Sequence, residues 1–162
     1  HMRYRIWGEK AEKDGFPTVA RLFAATSDAE QVHATYHFKA LRDEAGGFNV
    51  TSAAEFGYGT TSENLAGAIA GETFEYTQMY PAYIAVAEMQ GEKEAVTAMK
   101  YAVEAEKIHA ELFSKAKEAV DSGKDLDAKK IYLCPICGYI SLTGEEENCP
   151  LCKAKRELFK EY

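Results

Sequence analysis

The stretch Glu104-Ala105-Glu106-Lys107-Ile108-His109-Ala110-Glu111 decides the fold. Glu106 and His109 lie three residues apart in what reads as a long helix. Three residues of α-helix turn about 300° and rise about 4.5 Å, so both side chains leave one face. Ala102, Ala105 and Ile108 flank Glu106, which turns that face toward a core. A charge there costs several kcal/mol unless it is paired or bound to a metal. The same spacing returns at Glu30-Gln31-Val32-His33, beside Ala29 and Val32, and at Glu72-Thr73-Phe74-Glu75. Three helices, each offering an inward pair at spacing three, predict a dinuclear metal site inside an all-α four-helix bundle. Hard carboxylates with one or two imidazoles suit iron or manganese.

Working outward, His1 to about Asp14 reads as a first helix with Tyr4, Ile6, Trp7 and Ala11 as its apolar stripe. Gly15 suits its stop and Pro17 the first turn of the next helix, which runs to about Leu41. Asp43 to Thr61 carries four glycines with Asn49, Ser52 and Thr60 and reads as a long crossover loop. Thr61 or Ser62 is the expected cap of helix three, which runs to about Gln90 with a kink at Pro81. Gly91 breaks the pattern, and helix four runs from about Glu92 to Ser122 with Gly123 as its cap. His1 and His37 fit no spacing pair and are expected at the surface or behind the metal-binding groups.

The chain's four cysteines all lie near its end, as Cys134-Pro-Ile-Cys137 and Cys149-Pro-Leu-Cys152. Two C-x-x-C turns aim four thiolates at one ion. A zinc ribbon would be structural, whereas iron with four thiolates would carry one electron. Tyr132, Tyr139 and Phe159 can supply a small aromatic core. The expected division is a bundle over 1–123, a polar linker over 124–130 that separates two cores, and a cysteine domain of short β-strands and knuckles over 131–162. The net charge of −7 argues against nucleic acid and anionic membranes as partners. There is no apolar run long enough to span a bilayer, and unpaired C-x-x-C motifs fit the reducing cytoplasm.

These motifs resemble those of the rubrerythrins, ferritin-like di-iron proteins with a rubredoxin domain at the C-terminus. The resemblance runs through Glu30-x-x-His33, Gly71-Glu72-x-x-Glu75, Met79-Tyr80-Pro81, Gln90-Gly91-Glu92-Lys93-Glu94-Ala95, Glu106-x-x-His109 and both cysteine pairs. It implies that Glu30 and Glu106 bridge two irons, and that Glu72 and His109 hold one of them. Glu75 holds the other when oxidised, and His33 takes its place on reduction. Tyr4 and Tyr80 match tyrosines that hydrogen-bond to ligand carboxylates. It favours iron over zinc at Cys134, Cys137, Cys149 and Cys152, with manganese or zinc as possible substitutes in either site. The chain departs from the family in three places. A further ligand glutamate expected four residues before His1 is not in this sequence, whose uncapped start favours truncation, and the loop 43–61 is longer. After the second knuckle, Lys153 stands where a glycine is usual. A positive φ there would cost about 1 kcal/mol.

The resemblance implies a non-haem di-iron peroxidase that reduces hydrogen peroxide to water and protects against oxidative stress. Electrons would be relayed through the four-cysteine iron. No dinucleotide fingerprint is present, so the external donor would be a separate reductase or rubredoxin. The cysteine iron of one subunit would serve its partner's di-iron site, which implies a homodimer or larger. The alternatives are a ferroxidase or oxygen reductase on the same residues, and a non-catalytic metal-binding protein with a zinc-ribbon tail.

Overall fold

The computed structural model describes residues 1–42, 44–52 and 56–162. Its helices are α1 (Met2–Lys13), α2 (Pro17–Ala40), α3 (Thr61–Phe74), α4 (Tyr80–Gln90) and α5 (Lys93–Asp121), and α3 runs into α4 through a π-helical turn at Glu75–Met79. The third helix of the bundle is therefore α3, π turn and α4 together. Among the described residues no helix is long and apolar enough to cross a membrane.

Heptad-like apolar stripes turn inward to build one core. Tyr4, Trp7, Phe23 and Phe113 form its aromatic centre, with ring centroids 5.1–6.1 Å apart. Leu22, Val19 and Leu65 close around it. Each large apolar side chain buried there contributes roughly 1.5–3 kcal/mol. The expected cap of helix three is corrected by one residue. Thr60 caps α3, and Glu63 reaches back to the Thr60 N–H at 2.8 Å in a reciprocal capping box.

Pro81 does not break the helix. The Tyr80 N–H reaches back five residues to the Glu75 carbonyl, so the backbone widens just before the proline and sets its missing N–H where the register changes. Asp43 and residues 53–55 of the expected crossover loop lie outside the described residues. Where it approaches α3 the loop is tied to α1 and the residue that follows it: the Trp7 indole donates to the Gly57 carbonyl at 2.9 Å, and the Thr61 hydroxyl to Asp14 at 2.8 Å.

The tail is a three-stranded antiparallel sheet in the order β2-β1-β3, with β1 at Tyr132–Leu133, β2 at Ile140–Ser141 and β3 at Lys160–Glu161. The segment 124–130 does not hold two cores apart. Leu126, Ile131, Leu133 and Ile140 join the bundle core. Asp125 accepts the Thr18 and Val19 N–H groups at the start of α2, filling part of the donor deficit of that helix end. Arg21 donates to the carbonyls of Ala128, Lys129 and Tyr162, and Asp28 accepts from Lys160 and Tyr162 at 2.6 Å.

Candidate metal centres

In the tail, Phe159 packs with Tyr132 and Tyr139 around the cysteines. Each knuckle closes with a backbone bond from the residue after its second cysteine, Gly138 N–H to Cys134 at 3.1 Å and Lys153 N–H to Cys149 at 3.0 Å. Both residues take the left-handed conformation, φ +81° at Gly138 and φ +65° at Lys153, so the strain expected at Lys153 is real. The sulfurs of Cys134 and Cys152, and of Cys137 and Cys149, are 3.5 Å apart. A tetrahedron with metal–sulfur bonds of about 2.3 Å has edges of about 3.8 Å. A hydrogen bond from Cys137 holds the Cys134 thiol below its usual range, while that bond and burial push Cys137 up. Such a cluster cannot ionise throughout without a cation among the sulfurs.

In the bundle, donor atoms of Glu30, Glu72, Glu106 and His109 all lie within 4.8 Å of one another. His33 joins them from one turn past Glu30: its Nδ1 is 2.9 Å from Glu106 Oε1 and 3.8 Å from Glu30 Oε2. Glu106, fully buried, faces His33 with one oxygen and His109 Nδ1 with the other at 2.8 Å. Glu75 is half-buried on the π turn, and the charges of Glu30 and Glu106 reach it. Tyr4 donates to Glu72 at 2.5 Å, as expected. Among the described residues the partner of the Tyr80 hydroxyl is not a carboxylate but His37 Nε2, at 3.0 Å. His37 is the residue that spacing three could not find. Its signal was the four-residue step from His33, which puts both on one helix face.

The two histidines are oriented from behind by the tail. His33 Nε2 lies 3.1 Å from the Cys137 carbonyl and His109 Nε2 lies 2.9 Å from the Gly138 carbonyl. A carbonyl only accepts, so each Nε2 carries hydrogen and each Nδ1 points into the cluster. Within one chain the first knuckle sits on that chain's own histidines.

These residues fit a pair of cations. His33 Nδ1, Glu72 Oε2 and Glu106 Oε1 are buried without a hydrogen-bond partner. His33 Nδ1 and Glu106 Oε1 are close but not aligned to share a hydrogen. Buried acceptors left facing one another are costly unless a cation lies among them. Burial followed by the charge of Glu106 pushes Glu72 far up, and burial with Glu30 and Glu106 pushes Glu75 up to about 8. Burial works to lower both imidazoles, but the carboxylates outweigh it. Glu106 and Glu30 hold His33 well above its usual range, and Glu106 with Glu72 pushes His109 up to about 10. Without metal, protons thus occupy the cluster.

That sets a pH dependence for the metal-free chain. A group whose pKa is raised by folding stabilises fully below its unfolded value and loses that contribution as pH climbs through the folded one. For His109 the window is 6.5 to about 10, and for Glu75 it is 4.5 to about 8. Each fully differential group gives a slope of about 1.4 kcal/mol per pH unit. The melting temperature of the chelated protein should therefore fall steadily from pH 6 to pH 9.5. The metal-loaded protein, whose cations replace those protons, should change far less across the same scan.

Comparison with known proteins follows the same division. The family model described as "Rubrerythrin" matches residues 1–117, and that described as "Rubrerythrin, rubredoxin-like domain" matches residues 132–160. "Rubrerythrin-2" of Clostridium acetobutylicum is 44% identical over 162 residues, covering 100% of this chain and 88% of the relative. "Nigerythrin" of Nitratidesulfovibrio vulgaris is 33% identical, covering 100% and 79%. The solved structure "Fully reduced state of nigerythrin (all ferrous)" superposes with a TM-score of 0.87 at 35% identity, covering 99% of this chain and 78% of that one.

Proposed function

The chain belongs to the rubrerythrin family, and we propose that it reduces hydrogen peroxide to water in the cytoplasm, with electrons passed inward from its C-terminal cysteine centre. The observation that carries this reading is the pair of bonds from His33 and His109 to the carbonyls of Cys137 and Gly138. They join a one-electron centre to a two-metal cluster through a single layer of backbone. A zinc ribbon has no need of such a contact.

In this reading Glu30, His33, Glu72, Glu75, Glu106 and His109 hold two irons, and Cys134, Cys137, Cys149 and Cys152 hold a third. Two irons bound there would supply the two electrons of H2O2 + 2e⁻ + 2H⁺ → 2H2O, and an iron held by the four thiolates would supply replacements one at a time. Glu106 presents one oxygen to each histidine and so serves both ions. Tyr4 fixes the Glu72 carboxylate by donating to one oxygen, leaving the other for metal. The carbonyls of Cys137 and Gly138 hold both imidazoles in the tautomer that ligates. The inner faces of α3 and α5 bury Glu72, Glu106 and His109, while Glu30 and Glu75 are partly open to solvent. An external reductase or rubredoxin refills the tail, where Cys152 is the one cysteine not fully buried.

A Cys137→Ser protein, reduced chemically at its bundle site, should consume peroxide in the first turnover at the parent's rate in stopped flow. Steady turnover with the external donor should collapse. Full steady turnover in folded Cys137→Ser would overturn the relay. Absence of the first turnover in the parent would overturn the peroxidase reading and leave oxygen reduction or iron oxidation to be assayed on the same residues.

A further inference from the structure

Peroxide takes two electrons, but a four-thiolate centre delivers them one at a time. The cluster is not closed between deliveries: the Glu30 side chain is 18% exposed and Glu75 is half-buried. Peroxide that meets a pair holding a single electron takes that electron and a proton, and leaves water and a hydroxyl radical. A second electron is then needed at once, from a side chain already in contact with the site. Carboxylates, imidazoles and phenylalanine rings give an electron far less readily than a phenol. Tyr4 supplies such a phenol. It is 4% exposed, and its hydroxyl donates to Glu72 Oε1 at 2.5 Å, the length of a bond to an ionised carboxylate.

Three contacts place Tyr4 on the line that electrons would follow from the tail. The Gly138 carbonyl accepts from His109 Nε2 at 2.9 Å, His109 Nδ1 lies 3.6 Å from Glu72 Oε2, and Glu72 Oε1 holds the Tyr4 hydroxyl. Past Tyr4 the line stops. Its ring neighbours are Phe113 at 5.3 Å, Phe23 at 6.0 Å and Trp7 at 5.9 Å between centroids, and of these three rings the indole alone is readily oxidised. The Arg3 guanidinium lies 5.5 Å over that indole and opposes a positive charge on it, the more so where water is scarce. The indole N–H is given to the Gly57 carbonyl, which is no base for the proton that an oxidised indole must shed. An oxidising equivalent that reaches Tyr4 therefore stays there, whereas Glu72 is well placed to take the phenol's proton.

We propose that Tyr4 is the reserve electron donor of the bundle site, called on when peroxide arrives at a half-reduced pair. Tyr4 gives one electron through Glu72 to the hydroxyl radical, and its hydroxyl proton to Glu72 Oε1. The hydroxyl radical takes that electron and a proton from solvent and becomes water. Tyr4 is left as a neutral tyrosyl radical beside a protonated Glu72. The next electron from the tail reduces the radical while the proton returns from Glu72, which restores both side chains. Across the cycle one peroxide takes two electrons and two protons and yields two waters, as in the direct reaction. The need for a reserve rests on the peroxide-reduction reading, but the redox activity of Tyr4 can be tested apart from turnover.

The test uses the full iron-loaded chain, reduced to one electron per bundle pair, mixed with one equivalent of peroxide and freeze-quenched for electron paramagnetic resonance. The parent should show a tyrosyl radical, narrowed by ring-deuterated tyrosine and split by fluorine when 3-fluorotyrosine occupies position 4. Fluorotyrosine keeps the ring and its hydroxyl, so it reports on Tyr4 in a folded, loaded protein. The signal should be lost in Tyr4→Phe and kept in Tyr80→Phe and Trp7→Phe, and a spin trap should capture more hydroxyl radical from Tyr4→Phe than from the parent. A radical without fluorine splitting, a tryptophanyl radical in place of the tyrosyl one, or peroxide consumed with no radical would overturn the proposal. A parent that leaves peroxide untouched fails the functional reading alone. The zinc-loaded chain then decides, with a ruthenium photo-oxidant tethered at Met2→Cys, an exposed position two residues before Tyr4. A flash should leave its hole on Tyr4 with the same fluorine splitting, and return of the ruthenium to its resting state with no radical at Tyr4 would overturn the proposal.

Discussion

Glu106→Ala should strip both metals from the bundle while the cysteine centre stays loaded. Glu106 faces both histidines, with Oε1 2.9 Å from His33 Nδ1 and Oε2 2.8 Å from His109 Nδ1. A single deletion therefore removes a charged ligand from two ions at once. It also leaves Glu72 and Glu30 in a cavity without the partner that organises them. Breaking a buried charge pairing of this kind costs about 3–5 kcal/mol, or roughly 10²- to 10⁴-fold in each metal affinity. After dialysis against metal-free buffer, the variant should retain its tail ion and the visible band of ferric tetrathiolate, with bundle metal near zero. Glu106→Gln keeps the volume and one oxygen, and should lose less. Two bundle ions retained in a folded Glu106→Ala protein would remove Glu106 from the centre of the site. Peroxide consumption in the first turnover should vanish along with the metals.

The sequence carried the cluster because helical periodicity is simple. Glu30, His33, Glu72, Glu106 and His109 converge as spacing three requires, since each pair leaves one face of a helix whose other residues are core. Periodicity could not show the π turn, because Pro81 announces a disturbed helix but not whether the backbone kinks or widens. The cap was misread by one residue although its sign, Thr60-x-x-Glu63, was present; two neighbouring hydroxyl residues offered the same chemistry. The docking of tail on bundle was least legible. Its decisive acceptors are the carbonyls of Cys137 and Gly138, and a backbone carbonyl has no signature in a sequence. Leu126, which ties the linker into the bundle core, is the one large apolar residue in a polar run and gives no periodic signal. His37 was visible only as a histidine one turn from another, and its meaning depended on where Tyr80 arrives from a different helix.

Gly138→Ala should uncouple the two centres without removing a ligand from either. Gly138 has φ +81°, and a Cβ added there would overlap the Nε2 of His33. His33 has no room to yield, being 4% exposed with Nδ1 held 2.9 Å from Glu106. The knuckle must move instead, by on the order of 1 Å, and the left-handed backbone adds about 1 kcal/mol. All four thiolates remain, so the tail should keep its ion and its visible band. A pre-reduced bundle should still complete its first turnover. Refilling of the bundle from the tail should slow by about 10²-fold, the scale of loss that a displacement of this size causes in a tightly positioned site. Gly144→Ala is the control. It also has a positive φ, +64°, but its added Cβ would meet Tyr132 and Arg156 inside the tail. It therefore strains the same small domain and leaves the His33 contact alone. Steady turnover that falls in Gly138→Ala and holds in Gly144→Ala would locate electron entry at the first knuckle. Equal re-reduction rates in parent and Gly138→Ala would mean that electrons reach the bundle by another route, and the cis contact would then be a structural anchor for the two histidines.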